Sequence, residues 1–157
     1  MLYKEKKIIL KDGRICLFRA PRIEDAKEML EYLKTCAAET DFILRYPEEC
    51  TETVEEEADY LNRLNTSENN LMIVAIVDKE IAGNCQIMFN KRLKMKHRAG
   101  VAIALKRKYW RLGIGTRMFE EMIALAKEKK VSVLELEYIE GNERGKALYE
   151  KMGFVKT

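Results

Sequence analysis

The sequence has few of the residues that build metal sites and cross-links. His97 is the only histidine, and the four cysteines, Cys16, Cys36, Cys50 and Cys85, form no C-x-x-C pair. Zinc sites need cysteines and histidines at short fixed spacings, and disulfide-linked small domains need a denser set of cysteines. We therefore expect no metal site, and four reduced thiols in a cytoplasmic protein.

Long apolar runs are also absent. A membrane-spanning helix needs about 20 apolar residues, and no segment approaches that length. The first ten residues, MLYKEKKIIL, have neither the apolar core nor the cleavage site of a signal peptide. No repeat, linker or low-complexity tract interrupts the chain, so we expect a single domain over residues 1–157 and no membrane partner.

The chain lacks a marked excess of charge of either sign. Its 29 Lys and Arg residues against 26 Asp and Glu residues leave a net charge of +3. A general nucleic-acid binder usually shows a strongly basic footprint. We therefore predict no specific nucleic-acid partner.

The apolar pattern predicts six strands and four helices. The strands are expected at 7–10, 14–19, 71–77, 81–89, 99–105 and 131–138, and the helices at 23–33, 53–64, 113–130 and 143–152. The final strand–helix–strand order requires a parallel crossover. The predicted fold class is α/β, with one mixed, mostly antiparallel sheet of about six strands and helices on both faces. Phe154 and Val155 are predicted to begin a further strand.

A candidate phosphate site follows the strand at 99–105. A basic turn leads to Gly113-x-Gly115, which opens a helix. Glycines allow a ligand to approach the backbone, and the first turn of a helix offers free N–H groups and partial positive charge. Lys106, Arg107 and Lys108 add positive charge. Together these features predict a phosphate or pyrophosphate site.

Other interpretations of these glycines stay open at this stage. They could only ease packing between helix and strand in a protein without a ligand. The P-loop pattern is absent, but a dinucleotide-binding oxidoreductase is a second hypothesis, because Glu135 and Glu137 lie about 20 residues further on. Met118 stands where that fingerprint needs its third glycine.

Two motifs give the chain its resemblance to a known family. Trp110-Arg-Leu-Gly113-Ile-Gly115 aligns with the loop [Q/R]-x-x-G-x-[G/A], and residues 142–154 align with N-x-x-A-x-x-L-Y-x-x-x-G-F. With these motifs in this order, the sequence resembles the GNAT superfamily of N-acetyltransferases over residues 14–155. It departs from the pattern at Trp110, and at Gly145, which replaces alanine.

The resemblance implies a GNAT-like acyl-CoA N-acyltransferase fold and acetyl-CoA (coenzyme A) as the cofactor. Strand backbone would hold the pantetheine arm, loop N–H groups the pyrophosphate, and one amide side chain the pantetheine amides. The strand residues implied are Ile103, Ala104 and Leu105, and the amide side chain is that of Asn142. The loop residues implied are Arg111, Leu112, Gly113, Ile114, Gly115 and Thr116. Tyr149 would protonate the departing thiolate as general acid.

The resemblance also implies direct attack by an amine on the thioester, and this raises the question of the general base. Many relatives carry a glutamate on the strand before the phosphate loop, but residues 99–103 contain no acid. Glu135 and Glu137 share one face of the next predicted strand. They are candidates for base or substrate anchor, or they form the solvated face of that strand. Nothing in the sequence places a partner beside Cys85, so a thiol nucleophile is not favoured.

The expected acceptor is a primary amine on a small molecule or on a peptide or protein, at an N-terminus or lysine. The acidic stretch at 48–59 could attract such a cation, or could simply face solvent. The alternative function is a non-catalytic acyl-CoA-binding module of the same fold. Many relatives add strands after the G-F pair, whereas the printed sequence ends at Thr157. Two interpretations stay open: the sequence is shortened relative to the natural protein, or the sheet edge is finished differently, for example by another chain in a homodimer.

Overall fold

The antiparallel strands and the parallel crossover predicted from the sequence join in one sheet. The computed structural model describes all 157 residues. The strands are β1 (Lys6–Ile9), β2 (Ile15–Arg19), β3 (Asn70–Val77), β4 (Glu80–Phe89), β5 (Arg98–Leu105) and β6 (Val133–Glu135). The helices are α1 (Ala26–Glu39), α2 (Val54–Thr66), α3 (Ile114–Glu128) and α4 (Glu143–Lys151). The strand order is β1-β2-β3-β4-β5-β6, with only the β5–β6 pair parallel, which confirms the mixed sheet.

The alternation of side chains along the strands divides the core into two layers. On β3, Leu71 and Ile73 pack in the layer with α3, whereas Met72 and Val74 pack in the layer with α1 and α2. Both faces of β3 are therefore buried, which is why its sequence is a continuous apolar run. Helices lie on both faces of the sheet, as predicted. No helix has both the length and the apolar character needed to cross a bilayer.

β5 and β6 diverge part of the way along their length. Their pairing runs from Arg98–Val133 to Gly100–Glu135 and then stops. Beyond that point β5 remains paired with β4 on its other side as far as Leu105. The second half of β5 therefore has one edge with no strand beside it, and backbone N–H and C=O groups on such an edge can pair with an extended ligand.

The end of the chain differs from the prediction. The strand predicted at Phe154 and Val155 is wrong, because α4 ends in a Schellman cap. Gly153 adopts φ 98°, its N–H bonds to the Glu150 carbonyl at 3.0 Å, and the Phe154 N–H bonds to the Tyr149 carbonyl at 2.9 Å. The cap turns Phe154 back onto the helix. The strand predicted at 131–138 is also shorter, since only Val133–Glu135 pair with β5.

Gly83 on β4 controls how closely the end of β5 can approach. A Cβ at Gly83 would lie 2.2 Å from Leu105 Cδ2 and 2.8 Å from the Ala104 carbonyl oxygen, whereas one at Gly100 would meet only Met88 Cε at 3.5 Å. We expect Gly83→Ala to lower the free energy of unfolding by about 1–3 kcal/mol through overpacking. The matched Gly100→Ala should cost much less. Urea unfolding tests this, and equal midpoints for the two variants would contradict it.

Candidate functional site

A cleft of about 560 Å³ lies where β5 and β6 diverge. Its walls are the end of β5, the loop and first turn of α3, the first turns of α4, and the segment that follows α1. The volume is in the range of roughly 300–1,000 Å³ that is common for small-molecule sites. The unpaired edge of β5 thus borders a space large enough for a ligand.

Most of the site residues predicted from the sequence line this cleft. They are Ile103, Ala104, Leu105, Arg111, Gly113, Ile114, Gly115, Thr116, Asn142 and Tyr149. Leu112 does not line it, because its carbonyl accepts a hydrogen bond at 3.1 Å from the N–H of Lys11, after β1. Lys11 itself lines the cleft. No local signal near the motifs could have indicated Lys11, since a contact over about a hundred residues brings it there.

The loop before α3 has two residues with left-handed backbone angles. Arg111 adopts φ 63° and Gly113, the N-cap of α3, adopts φ 93°. Gly113 offers no side chain to cap the helix, so N–H groups of the first turn are left without a side-chain acceptor. A Cβ on Gly115 would lie 3.0 Å from Leu148 Cδ2, so glycine permits the close approach of α4. Free N–H groups at a helix N-terminus form a phosphate site.

Trp110 connects this loop with β5 and α4. Its indole N–H donates to the Leu105 carbonyl at 3.0 Å, and the Arg144 guanidinium lies 3.5 Å from its ring centroid. Arg107 lies 5.4 Å from the same centroid. Burial, and next the charge of Arg111, lower the pKa of Arg144. Trp110, which departs from the family pattern, thus holds two arginines at the cleft through cation–π contacts.

Asn142 is the N-cap of α4. Its Oδ1 accepts a hydrogen bond from the Gly145 N–H at 3.0 Å, so its amide nitrogen is not used by the cap. A Cβ on Gly145 would lie 2.5 Å from that nitrogen. Glycine at the position of the family's alanine therefore leaves room for the Asn142 side chain in its present rotamer.

Tyr149 lines the cleft with its ring held by other aromatic side chains. Its centroid lies 5.8 Å from that of Phe119, 5.5 Å from that of Tyr138 and 6.4 Å from that of Phe154. Burial, and next the neighbouring Tyr138, raise the pKa of Tyr149, with Arg144 opposing them. The hydroxyl therefore keeps its proton at neutral pH and can donate it.

The structure places Glu135 and Glu137 outside the cleft lining, and both are exposed. Glu135 pairs with Arg98, and this hydrogen bond lowers the pKa of the carboxyl group. Cys85 is also absent from the lining; burial raises the pKa of its thiol well above the usual value, so the thiol is not activated.

Residues at the end of α1 and in the segment that follows it complete the cleft, and no motif in the sequence indicated them. Glu39, Asp41, Phe42 and Ile43 line it. Glu39 accepts a hydrogen bond from the Arg107 N–H at 3.0 Å, which ties the end of α1 to the loop after β5. Phe42 reaches the loop before α4, where a Cβ on Gly141 would lie 3.7 Å from Phe42 Cε1. Segments far apart in sequence therefore meet around one end of the cleft.

Comparisons with known proteins agree with this arrangement. A family model described as Acetyltransferase (GNAT) family matches residues 28–154. The chain is similar to the structure of a GNAT-family acetyltransferase from Streptococcus pneumoniae, with 29% identity and a TM-score of 0.82 over 90% of this chain and 86% of that one. No curated protein sequence matches the chain.

Two more distant structures share the fold. One is the PaiA N-acetyltransferase from Thermoplasma acidophilum in complex with coenzyme A, with 20% identity and a TM-score of 0.75 over 90% of this chain and 91% of that one. The other is a ribosomal-protein-alanine N-acetyltransferase from Brucella melitensis, with 22% identity and a TM-score of 0.75 over 89% of this chain and 85% of that one.

An acidic side chain at Gly113 should weaken the binding of an anionic ligand in the cleft. Like charges placed together cost several kcal/mol, so at about 1.4 kcal/mol per tenfold we expect Gly113→Asp to weaken acetyl-CoA binding about 100-fold or more. Calorimetric titration measures this. Gly153→Asp is the matched control, because Gly153 has a similar φ of 98° with nothing within 4 Å of its Cβ position. Equal affinities of the two variants for acetyl-CoA would contradict a phosphate site at the start of α3.

Proposed function

The chain belongs to the GNAT family of acetyltransferases, and from this premise we propose that it transfers the acetyl group of acetyl-CoA to a primary amine by direct attack. The acceptor is a small-molecule amine or a protein N-terminus or lysine. The family match favours acetyl-CoA over the dinucleotide that the glycine loop alone left open.

The observation that carries this proposal is the unpaired edge of β5, which borders the same cleft as the first turn of α3 and Tyr149. A pantetheine arm is an extended chain with amide groups, and it can pair with backbone at Ile103 and Leu105 as an added strand would. Gly113 and Gly115 then receive the pyrophosphate, while the free amide nitrogen of Asn142 meets a pantetheine carbonyl. The coenzyme A complex of the Thermoplasma neighbour supports the same ligand class.

Acetyl-CoA supplies the thioester, and the chain positions it and moves protons. Strand and loop N–H groups stabilise negative charge on the carbonyl oxygen as the amine attacks. Tyr149 then protonates the departing sulfur; burial raises the pKa of its hydroxyl, so the group carries its proton at neutral pH. The name of the Brucella neighbour, which specifies an alanine acceptor, is consistent with an amine as substrate class.

Release of the coenzyme A thiol in the presence of primary amines tests the proposed function. We expect Tyr149→Phe to lower kcat by about 100-fold, since general acid catalysis contributes about 10²–10⁴-fold, with acetyl-CoA affinity little changed. Tyr138→Phe is the control, because it keeps a ring beside Tyr149 and does not line the cleft.

If the wild-type protein binds acetyl-CoA but releases no thiol with any amine tested, the proposed enzymatic activity is contradicted. That result would favour the alternative of a non-catalytic acyl-CoA-binding module.

A further inference from the structure

Three arginine side chains of the cleft lining have no carboxylate partner. They are Arg107, Arg111 and Arg144. Six of the 11 arginines in the chain form ion pairs with Asp or Glu, but these three do not. Three acidic residues also line the cleft, so acids are present there and the arginines remain unpaired. Guanidinium groups without a counter-ion in a concave site favour an anionic ligand.

Arg144 is held in the cleft by an aromatic ring rather than by an acid. It lies in the first turn of α4, and its Cζ is 3.5 Å from the Trp110 ring centroid. The indole N–H donates to the Leu105 carbonyl at 3.0 Å, which fixes the ring against the end of β5. A guanidinium that stacks on an aromatic face keeps the N–H donors of its edge available for a ligand. Trp110 thus fixes the position of Arg144 without using its donors.

A second guanidinium lies near that of Arg144. Arg111 adopts φ 63°, a left-handed backbone conformation that is costly for a residue with a side chain. Burial, and next the charge of Arg111, lower the pKa of Arg144, so the two positive charges are close enough to repel each other. Both the strain and the repulsion are unfavourable in the free protein. An anion bound to both guanidinium groups would offset the repulsion.

Arg144 also lies on the side of α4 that faces the first turn of α3. It stands four residues before Leu148, and residues four apart share one face of a helix. Leu148 Cδ2 would lie 3.0 Å from a Cβ on Gly115, so this face of α4 packs against the start of α3. The Arg144 guanidinium therefore belongs to the same site as the backbone N–H groups of that turn.

A ligand that suits both groups carries more than one phosphate. The N–H groups of one helix turn bind a phosphate or a diphosphate, and a guanidinium binds a further phosphate oxygen pair through two parallel hydrogen bonds. Acetyl-CoA has a diphosphate and, on its ribose, a separate phosphate monoester. It can therefore occupy the helix turn and the guanidinium groups together.

We propose that Arg144, with Arg111 beside it, binds a phosphate group of acetyl-CoA, and that Trp110 is the positioning residue that presents the Arg144 guanidinium. The inference rests on acetyl-CoA as the cofactor of the proposed function. The phosphate belongs to the diphosphate or to the ribose monoester, which share this chemistry. Trp110 departs from the family pattern, and its role in this chain is to hold a cation that another helix supplies.

Calorimetric titration of Arg144→Ala with acetyl-CoA tests the phosphate contact. At low ionic strength we expect affinity to fall about 10- to 100-fold, the effect of losing hydrogen bonds to a charged group. This ratio to the wild type should shrink as salt is added, because salt screens exposed charges. Lys146→Ala is the matched control: it removes one positive charge from the same helix, does not line the cleft, and should bind like the wild type.

Acetyl-dephospho-CoA, which lacks the ribose monoester, identifies the phosphate. If Arg144→Ala weakens its binding as much as that of acetyl-CoA, the guanidinium binds the diphosphate. If the wild type and Arg144→Ala bind acetyl-dephospho-CoA equally, the guanidinium binds the ribose monoester. Both results support the proposal.

Two variants of Trp110 test its positioning role. Trp110→Phe and Trp110→Leu both lose the N–H that bonds to Leu105, but only phenylalanine keeps a ring beneath Arg144. We expect Trp110→Leu to bind acetyl-CoA about fivefold more weakly than Trp110→Phe, in the range of a cation–π contact. In the Arg144→Ala background this difference should vanish. A difference of the same size in that background would overturn the positioning role.

An Arg144→Ala variant with the urea midpoint and the acetyl-CoA affinity of the wild type would overturn the phosphate contact and leave the proposed function standing. A loss of affinity that does not change with salt would also contradict a contact between charges. A folded wild type that does not bind acetyl-CoA would instead overturn the proposed function, and this phosphate contact with it.

Discussion

The arrangement of the cleft depends on one constraint, which is that β5 is paired along its whole length on one side and along only its first half on the other. Because backbone groups need partners, the unpaired half is a ready site for an extended ligand. Tyr32 of α1 supports this half, since its buried hydroxyl shares its one proton between two acceptors, Asn84 Oδ1 at 2.7 Å and the Ala104 carbonyl oxygen at 3.0 Å. Trp110 holds its end through the Leu105 carbonyl.

A site built from backbone places few demands on side chains. The edge of β5 and the first turn of α3 offer N–H groups whatever residues stand there, provided that glycine is present where the backbone or a neighbour requires it. This explains how Trp110 and Gly145 can depart from the family pattern without changing the frame of the cleft.

The sequence was most informative where the pattern is local. The run on β3 and the spacing along α3 predict their elements, and the two motifs identify the family and contain 11 of the 23 residues that line the cleft. Contacts between distant segments could not be predicted in this way. Lys11 and Phe42 reach the cleft through tertiary contacts. The strand predicted at Phe154 does not form, because Gly153 allows a helix cap that turns the chain back.

The position of Trp110 has a consequence for how this protein can be observed. It is the only tryptophan in the chain, and its ring lies in the cleft wall against the Arg144 guanidinium. Indole emission depends on the polarity and charge around the ring, so all of the tryptophan fluorescence of this protein comes from the wall of one cleft. The molecule therefore carries an intrinsic optical reporter of occupancy, with no background from other tryptophans.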